Sequence, residues 1–197
     1  MNVADPRLDA AADAIRDGDL VVYPTETVYG LGADALDSEA IERAYAAKGR
    51  ERSKPMSLGV PDVETASDYV VAGERERAFM RAFLPGPVTV VCEKRDAVPD
   101  ALTGGRERVG VRVPDHEVAL ALLERVAPVT ATSANVSGTG SVRRAADLDP
   151  GFLDDVAVVL DGGETGGVES TVVDVANDEI LREGANAAAI AEWLDER

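Results

Sequence analysis

One cysteine and one histidine occur in 197 residues, aromatic residues make up 4% of the chain, and lysine is confined to three positions. A lone Cys92 excludes an internal disulfide and any cysteine cluster for zinc. With His116 the single imidazole, a Ser-His-Asp triad or a two-histidine metal site would have to be assembled around it. Its setting, VPDHEVALALLERVA, reads instead as the first turn of an amphipathic helix over 115–126, capped by Asp115, with the ring exposed. No stretch approaches the roughly eighteen apolar residues of a membrane span. MNVADPRLDAA lacks the basic leader and apolar core of a secretory signal, so the expected location is cytoplasmic, away from membranes. GxxxxGK[ST] and GxGxxG are missing too, so neither a P-loop nor a dinucleotide fingerprint is available.

Positive charge is also scarce. There are 37 Asp plus Glu against 20 Lys plus Arg, a formal net charge of −17. Such a balance argues against general electrostatic affinity for nucleic acid or anionic lipid. An acidic, lysine-poor, alanine- and valine-rich surface looks like adaptation to a salt-rich cytoplasm, where screening relieves self-repulsion. Against that background, Lys48 and Lys54 both fall in KGRERSK at 48–54, with four positive side chains and one negative.

Length, 45% hydrophobic content and 29% charged residues fit one globular domain over 1–197, with no repeat or linker to mark a boundary. DPRLDAAADAIRDG reads as a helix with an Asp cap, a proline at its first position and Gly18 at its end. DLVVYPTETVYGLG runs from a strand at 19–23 into a polar loop. SEAIERAYAAKG reads as a helix capped by Ser38 and stopped by Gly49, which puts KGRERSK at a helix exit. PMSLGV is strand-like, 62–84 reads as one or two helices, VTVVCE and VGVRVP read as strands, and PVTATS leads into the polar loop SANVSGTGS. The last third reads as a short helix near FLDDV, strands at VAVVL, STVVDV and EILRE, and a closing helix NAAAIAEWLDE with Trp193 and Leu194 facing the core. Helices and strands that intermingle in this way predict α/β layers around a mixed sheet.

Five polar stretches break the apolar pattern beside strands: YPTETVYGLG, KGRERSKPMSL, VGVRVP, TSANVSG and GGVESTVVD. Loops beyond strand ends are where open α/β sheets place ligands, so the stretches suggest one composite site. Lys and Arg in KGRERSK also suit a solvated helix terminus, where they meet the negative end of the dipole. Arg112 interrupts an apolar strand and points opposite to Val111 and Val113. Either that face is open to solvent or the guanidinium grips a carboxylate or phosphate in two hydrogen bonds. Hydroxyl, amide and glycine groups in SANVSG and GGVESTV suit oxyanion binding, and equally suit turns. Thr25, Thr27 and Tyr29 offer hydroxyls to a small amphipathic ligand. Glu26 reads as structural, with no part in proton transfer.

Together PTETVYGLG at 24–32, KGR at 48–50 with KPMS, GVRVP at 110–114, TSANVSG at 132–138, ESTVVD at 169–174 and ILREG at 180–184 resemble the threonylcarbamoyl-adenylate synthases, the YrdC/Sua5 group. The fragments occur in the family's order and span nearly the whole chain. The resemblance implies a twisted, open mixed sheet flanked by helices, with a concave positive groove for ATP and L-threonine. The implied reaction joins threonine, bicarbonate or CO2, and ATP into threonylcarbamoyl-AMP and pyrophosphate. A separate transferase complex, met transiently, then modifies adenosine 37 of ANN-decoding tRNAs, which the synthase itself meets indirectly or weakly. By the same resemblance Lys48 and Arg50 hold ATP phosphates as the catalytic cations, and Lys54 is a third. Ser133, Asn135, Ser141 and Arg182 fall at nucleotide contacts. Thr25, Ser57, Arg112, Thr132 and Ser170 fall at the threonine site. No residue is assigned as a metal ligand, although Mg2+ is expected with the nucleotide. The implied form is the short, single-domain one, and valine follows Ser141 where the family pattern has proline.

This residue set suits the chemistry. A carbamate formed on the threonine amine is already anionic, so its attack on the α-phosphorus needs alignment and charge neutralisation more than a general base. Two other readings compete. One is a paralogue of the same fold that uses a different carbamoyl substrate. The other is a non-catalytic RNA-binding module, disfavoured by the net charge and by the absence of aromatic residues in KGRERSK.

Overall fold

The computed structural model describes residues 5–196. Helix α1 (Arg7–Arg16) buries Leu8, Ala11, Ala12 and Ile15 along one stripe. The Asp5 carboxylate accepts the Arg7 N–H at 2.9 Å, and Gly18 turns the chain at φ 85. Strand β1 (Leu20–Tyr23) follows. Next, β2 (Gly30–Gly32) forms where a loop was expected. Its residues carry no strand signature, because a Cβ on Gly30 or Gly32 would lie 3.0 or 3.1 Å from the Tyr23 ring. Glycine is what lets that tyrosine lie across the strand.

Helix α2 (Ser38–Lys48) is capped by Asp37, whose carboxylate accepts the Glu39 N–H at 2.9 Å, and not by Ser38 as expected. It stops at Gly49, φ 53, the left-handed conformation that glycine takes at little cost. Strand β3 (Ser57–Gly59), helix α3 (Val63–Ala66), strand β4 (Val70–Val71) and helix α4 (Glu74–Phe83) come next, so 62–84 holds a short strand as well as two helices. Then follow β5 (Val88–Lys94), α5 (Asp100–Thr103), β6 (Arg108–Arg112) and α6 (Glu117–Leu123). The last of these is shorter than the 115–126 expected. Its cap is His116, not Asp115: Nδ1 accepts the Val118 N–H at 3.2 Å, and the ring is half-buried. Burial pulls the His116 pKa down. The chain closes with β7 (Val129–Ser133), α7 (Pro150–Leu153), β8 (Val156–Val159), β9 (Thr171–Asp174), β10 (Glu179–Arg182) and α8 (Ala187–Asp195).

The strands form one ten-stranded sheet in the order β10-β9-β5-β6-β3-β7-β2-β1-β8, with β4 beside β5. Pairs β1/β8, β3/β6 and β5/β9 are parallel and the others antiparallel, so the sheet is mixed as expected. The two-residue period sorts its faces. Leu20, Val22, Val88, Val90, Cys92, Val109 and Val111 join Ile41, Tyr45, Phe79, Met80, Ile190 and Leu194 in one core. Val21, Tyr23 and Val129 face the other way, into a smaller core with α1 and α6. Full burial of each such Val, Leu or Ile stabilises by roughly 1.5–3 kcal/mol. Helices α1 and α6 cover that second face at one end, and the site lies beyond them on the same face. Among the described residues no helix is long and apolar enough to cross a membrane.

Candidate functional site

Strand β6 shows how the sheet builds the site. Val109 and Val111 enter the core, so Arg108, Gly110 and Arg112 take the opposite face. The same alternation exposes Thr89 and Val91 on β5, and Val172 and Asp174 on β9, to one cavity of about 490 Å³. That size lies in the small-molecule range. Gly110 opens the floor: a Cβ there would lie 2.5 Å from Ser57 Oγ and 2.7 Å from Thr89 Cγ2. Thr89 Oγ1 and Ser170 Oγ meet at 3.2 Å beside it.

Arg112 lines the cavity and is 7% exposed. Its Nη2 donates to Glu26 Oε1 at 3.0 Å and to Thr27 Oγ1 at 2.9 Å. Thr27 Oγ1 lies 2.9 Å from Thr25 Oγ1, and Thr25 gives its one hydroxyl proton to the Val28 carbonyl at 2.6 Å. Thr27 is therefore the donor of that pair, and the chain of bonds runs in one direction away from the guanidinium. Both Nη2 hydrogens are thus committed, and Nη1 is buried without a partner among the described residues. Desolvation pulls the Arg112 pKa down, and the facing Glu26 carboxylate opposes that.

Arg50, Arg106, Arg108 and Arg182 also line the cavity, with Glu169 and Asp174 as its acids. Arg108 is forked onto Asp174, with Nη2 to Oδ1 at 2.9 Å and Nη1 to Oδ2. Arg182 pairs with Glu169 at 3.1 Å and donates to the Ser170 carbonyl at 2.8 Å. Arg50 is held by the Lys54 and Pro55 carbonyls at 2.8 and 3.0 Å, and Arg106 by the Ser53 carbonyl at 3.1 Å. Neither of these two has an ion pair among the described residues.

Of the residues singled out in the sequence, Thr25, Ser57, Arg112, Thr132 and Ser170 all line this cavity, as do Arg50, Ser133 and Arg182. Four lie behind it or at its rim. Lys48 is 1% exposed, and its Nζ donates to the carbonyls of Ser133 and of Asn135, the latter at 2.7 Å. Asn135 turns its amide onto its own loop, to Val136 and Thr139 carbonyls at 2.8 and 2.9 Å. Ser141 donates to Glu169 Oε1 at 2.5 Å. Lys54 is exposed and pairs with Glu51 at 3.3 Å, and Arg52 pairs with Glu42. Thr89, Arg106, Arg108 and Asp174 were not singled out in the sequence. For Arg108 a signal existed, since it shares the two-residue period of Gly110 and Arg112.

Fold and cavity define a class: an α/β protein with an open mixed sheet whose uncovered face carries an arginine-rich, hydroxyl-lined pocket. More specifically, the Sua5/YciO/YrdC family model, described as "Telomere recombination", matches residues 13–184, and the chain belongs to that family. It is 45% identical over 174 residues to the threonylcarbamoyl-AMP synthase of Pyrococcus abyssi, covering 86% of this chain and 51% of that protein. Its identity to the Bacillus subtilis threonylcarbamoyl-AMP synthase is 40% over 182 residues, covering 90% and 53%. The chain thus spans about half the length of these two relatives. The crystal structure of P. abyssi Sua5 complexed with L-threonine superposes with a TM-score of 0.88 at 39% identity, over 96% of this chain and 58% of that one.

Proposed function

We propose that this protein is an ATP-dependent L-threonylcarbamoyladenylate synthase. It joins L-threonine, bicarbonate or CO2, and ATP to give threonylcarbamoyl-AMP and pyrophosphate. The observation that carries the reading is that Thr25, Ser57, Thr132 and Ser170 line one pocket together with the buried Arg112. A small hydroxy amino acid presents a carboxylate, an amine and a hydroxyl, and this wall offers a cation and short hydroxyls to meet them.

Arg50 and Arg106, which line the cavity and form no salt bridge among the described residues, supply positive charge beside KGRERSK, where a triphosphate would lie. This charge is the supporting feature for a positive groove. Lys48 acts from behind, fixing the Ser133–Asn135 turn on which the nucleotide would rest. No group of three or more His, Cys, Asp or Glu suited to a metal exists among the described residues. Mg2+ would then be carried by the phosphates, as it commonly is. Bound Mg2+ would neutralise charge on the departing pyrophosphate. The residues of the chain would then hold the carbamate in line with the α-phosphorus and keep its charges paired. A transferase complex would pass the threonylcarbamoyl group to adenosine 37 of ANN-decoding tRNAs, and the compartment for this work is the cytoplasm.

The test is pyrophosphate release measured with each substrate withheld in turn. Release should require threonine, bicarbonate and ATP together. Release that ignores threonine, or that carbamoyl phosphate sustains in its place, would overturn the reading.

A further inference from the structure

Glu26 and Arg112 form a buried ion pair that is only half made. A pair built for stability closes as a fork, with two parallel N–H···O bonds. Here one bond, Nη2 to Oε1 at 3.0 Å, joins them. Arg112 Nη1 and Glu26 Oε2 are both buried without a partner among the described residues. Leaving such groups bare is costly, so an unmet donor and an unmet acceptor on two bonded partners point to a ligand that answers both. A plain carboxylic acid would satisfy Nη1 and leave Oε2 bare. An amine alone would do the reverse.

We propose that Glu26 is a specificity-determining residue, which makes the Arg112 site select an α-amino acid over the corresponding acid without the amine. The ligand carboxylate takes Arg112 Nη1 and the ligand amino group donates to Glu26 Oε2. Glu26 does not itself line the cavity, but it sits between Thr25 and Thr27, which do. With 17% of its side chain exposed against 9% for Arg112, it is the partner with room to turn toward the ligand. Arg112 stays in place meanwhile, because Thr27 Oγ1 holds its Nη2 at 2.9 Å. The inference rests on the amino-acid reading proposed above and adds the group that reads the amine.

The experiment is calorimetric titration of the full chain with L-threonine and with 3-hydroxybutyrate, its deamino counterpart, before and after Glu26→Gln. The unaltered protein should prefer threonine by at least about tenfold, the range for a hydrogen bond to a charged group. Glu26→Gln should weaken threonine by a similar factor and leave 3-hydroxybutyrate nearly unchanged. Equal weakening of both ligands would mean that Glu26 only props Arg112, and unaltered threonine binding would mean that it reads nothing; either result overturns the proposal. If Glu26→Gln fails to fold, the unaltered protein decides, since equal affinity for the two ligands overturns it as well. Failure of the unaltered protein to bind threonine at all would overturn the threonine reading, and this inference with it.

Discussion

Lys48 Nζ donates to the Asn135 carbonyl at 2.7 Å, so the end of α2 and the loop after β7 behave as one unit. A second strut runs the other way, from the Ser137 N–H to the Lys48 carbonyl at 2.8 Å. Lys48→Ala would leave the Asn135 carbonyl without its buried donor, at about 1–3 kcal/mol, while the Ser133 carbonyl keeps the Asn135 N–H at 3.1 Å. It should therefore lower the thermal unfolding midpoint as well as pyrophosphate release. A lysine that only touched phosphate would leave the midpoint where it was. Arg52→Glu reverses an exposed pair with Glu42 and should cost under about 1 kcal/mol and little activity.

The same lysine predicts a pH dependence. Burial, reinforced by Arg50 and opposed by Glu169, pulls the Lys48 ammonium from 10.5 to about 8. The folded chain therefore binds fewer protons at this site than the unfolded chain between those values. Stability from this group rises with pH across that window, and its penalty is fully present below about 8. Affinity for ATP should move the other way. It should be flat below about 8 and fall above it, as the charge disappears while two N–H groups remain for the two carbonyls. Titration calorimetry with ATP across that range, repeated on Lys48→Arg, checks this: the arginine variant should show a flat profile.

Gly110 has the least spare room on the cavity floor. A methyl group there would meet Ser57 Oγ at 2.5 Å and Thr89 Cγ2 at 2.7 Å. Gly110→Ala should push both side chains into the space proposed for threonine, at roughly 1–3 kcal/mol of overpacking. Threonine binding should fall more than tenfold while the protein still folds. Gly49→Ala is a useful contrast, because nothing lies within 4 Å of the added carbon but φ is 53. It should cost stability alone.

These cases also show what could be read from the sequence. Strands β5, β6 and β9 were legible because valines on one face bury while Thr89, Arg112 and Asp174 take the other. Strand β2 was not, since Gly30–Gly32 is held by β1 and β7 on either side and by the Tyr23 ring, none of which a local pattern records. The caps at Asp37 and His116 each fell one residue from where Ser38 and Asp115 were expected, a choice that backbone geometry settles among neighbouring polar side chains. In the site, KGRERSK was visible as a cation cluster, but the inward turn of Lys48 and the outward pairing of Lys54 were not. Lys48 turns inward to two carbonyls, Arg50 lines the cavity, and Arg52 and Lys54 pair outside. The half-made bond of Glu26 to Arg112 joins residues 86 apart in sequence, so no spacing rule could reveal it.

Arg112 carries the last prediction. Arg112→Ala should weaken threonine binding far more than ATP binding, because the guanidinium is tied to Thr27 whereas Arg50 is held by the carbonyls of Lys54 and Pro55. It should also destabilise the fold by about 3–5 kcal/mol, since Glu26 would be buried without its counter-charge. The two effects can be separated by combining Arg112→Met with Glu26→Leu, which removes both charges and keeps the volume. That double variant should recover most of the lost stability, as apolar replacements of buried pairs often do, yet bind no threonine. Arg112→Lys should recover neither fully, because one ammonium cannot reproduce the planar fork that now serves Glu26 and Thr27 and leaves Nη1 for a ligand. Equal loss of ATP and threonine binding in the stable double variant would show that Arg112 organises the whole cavity rather than its amino-acid site.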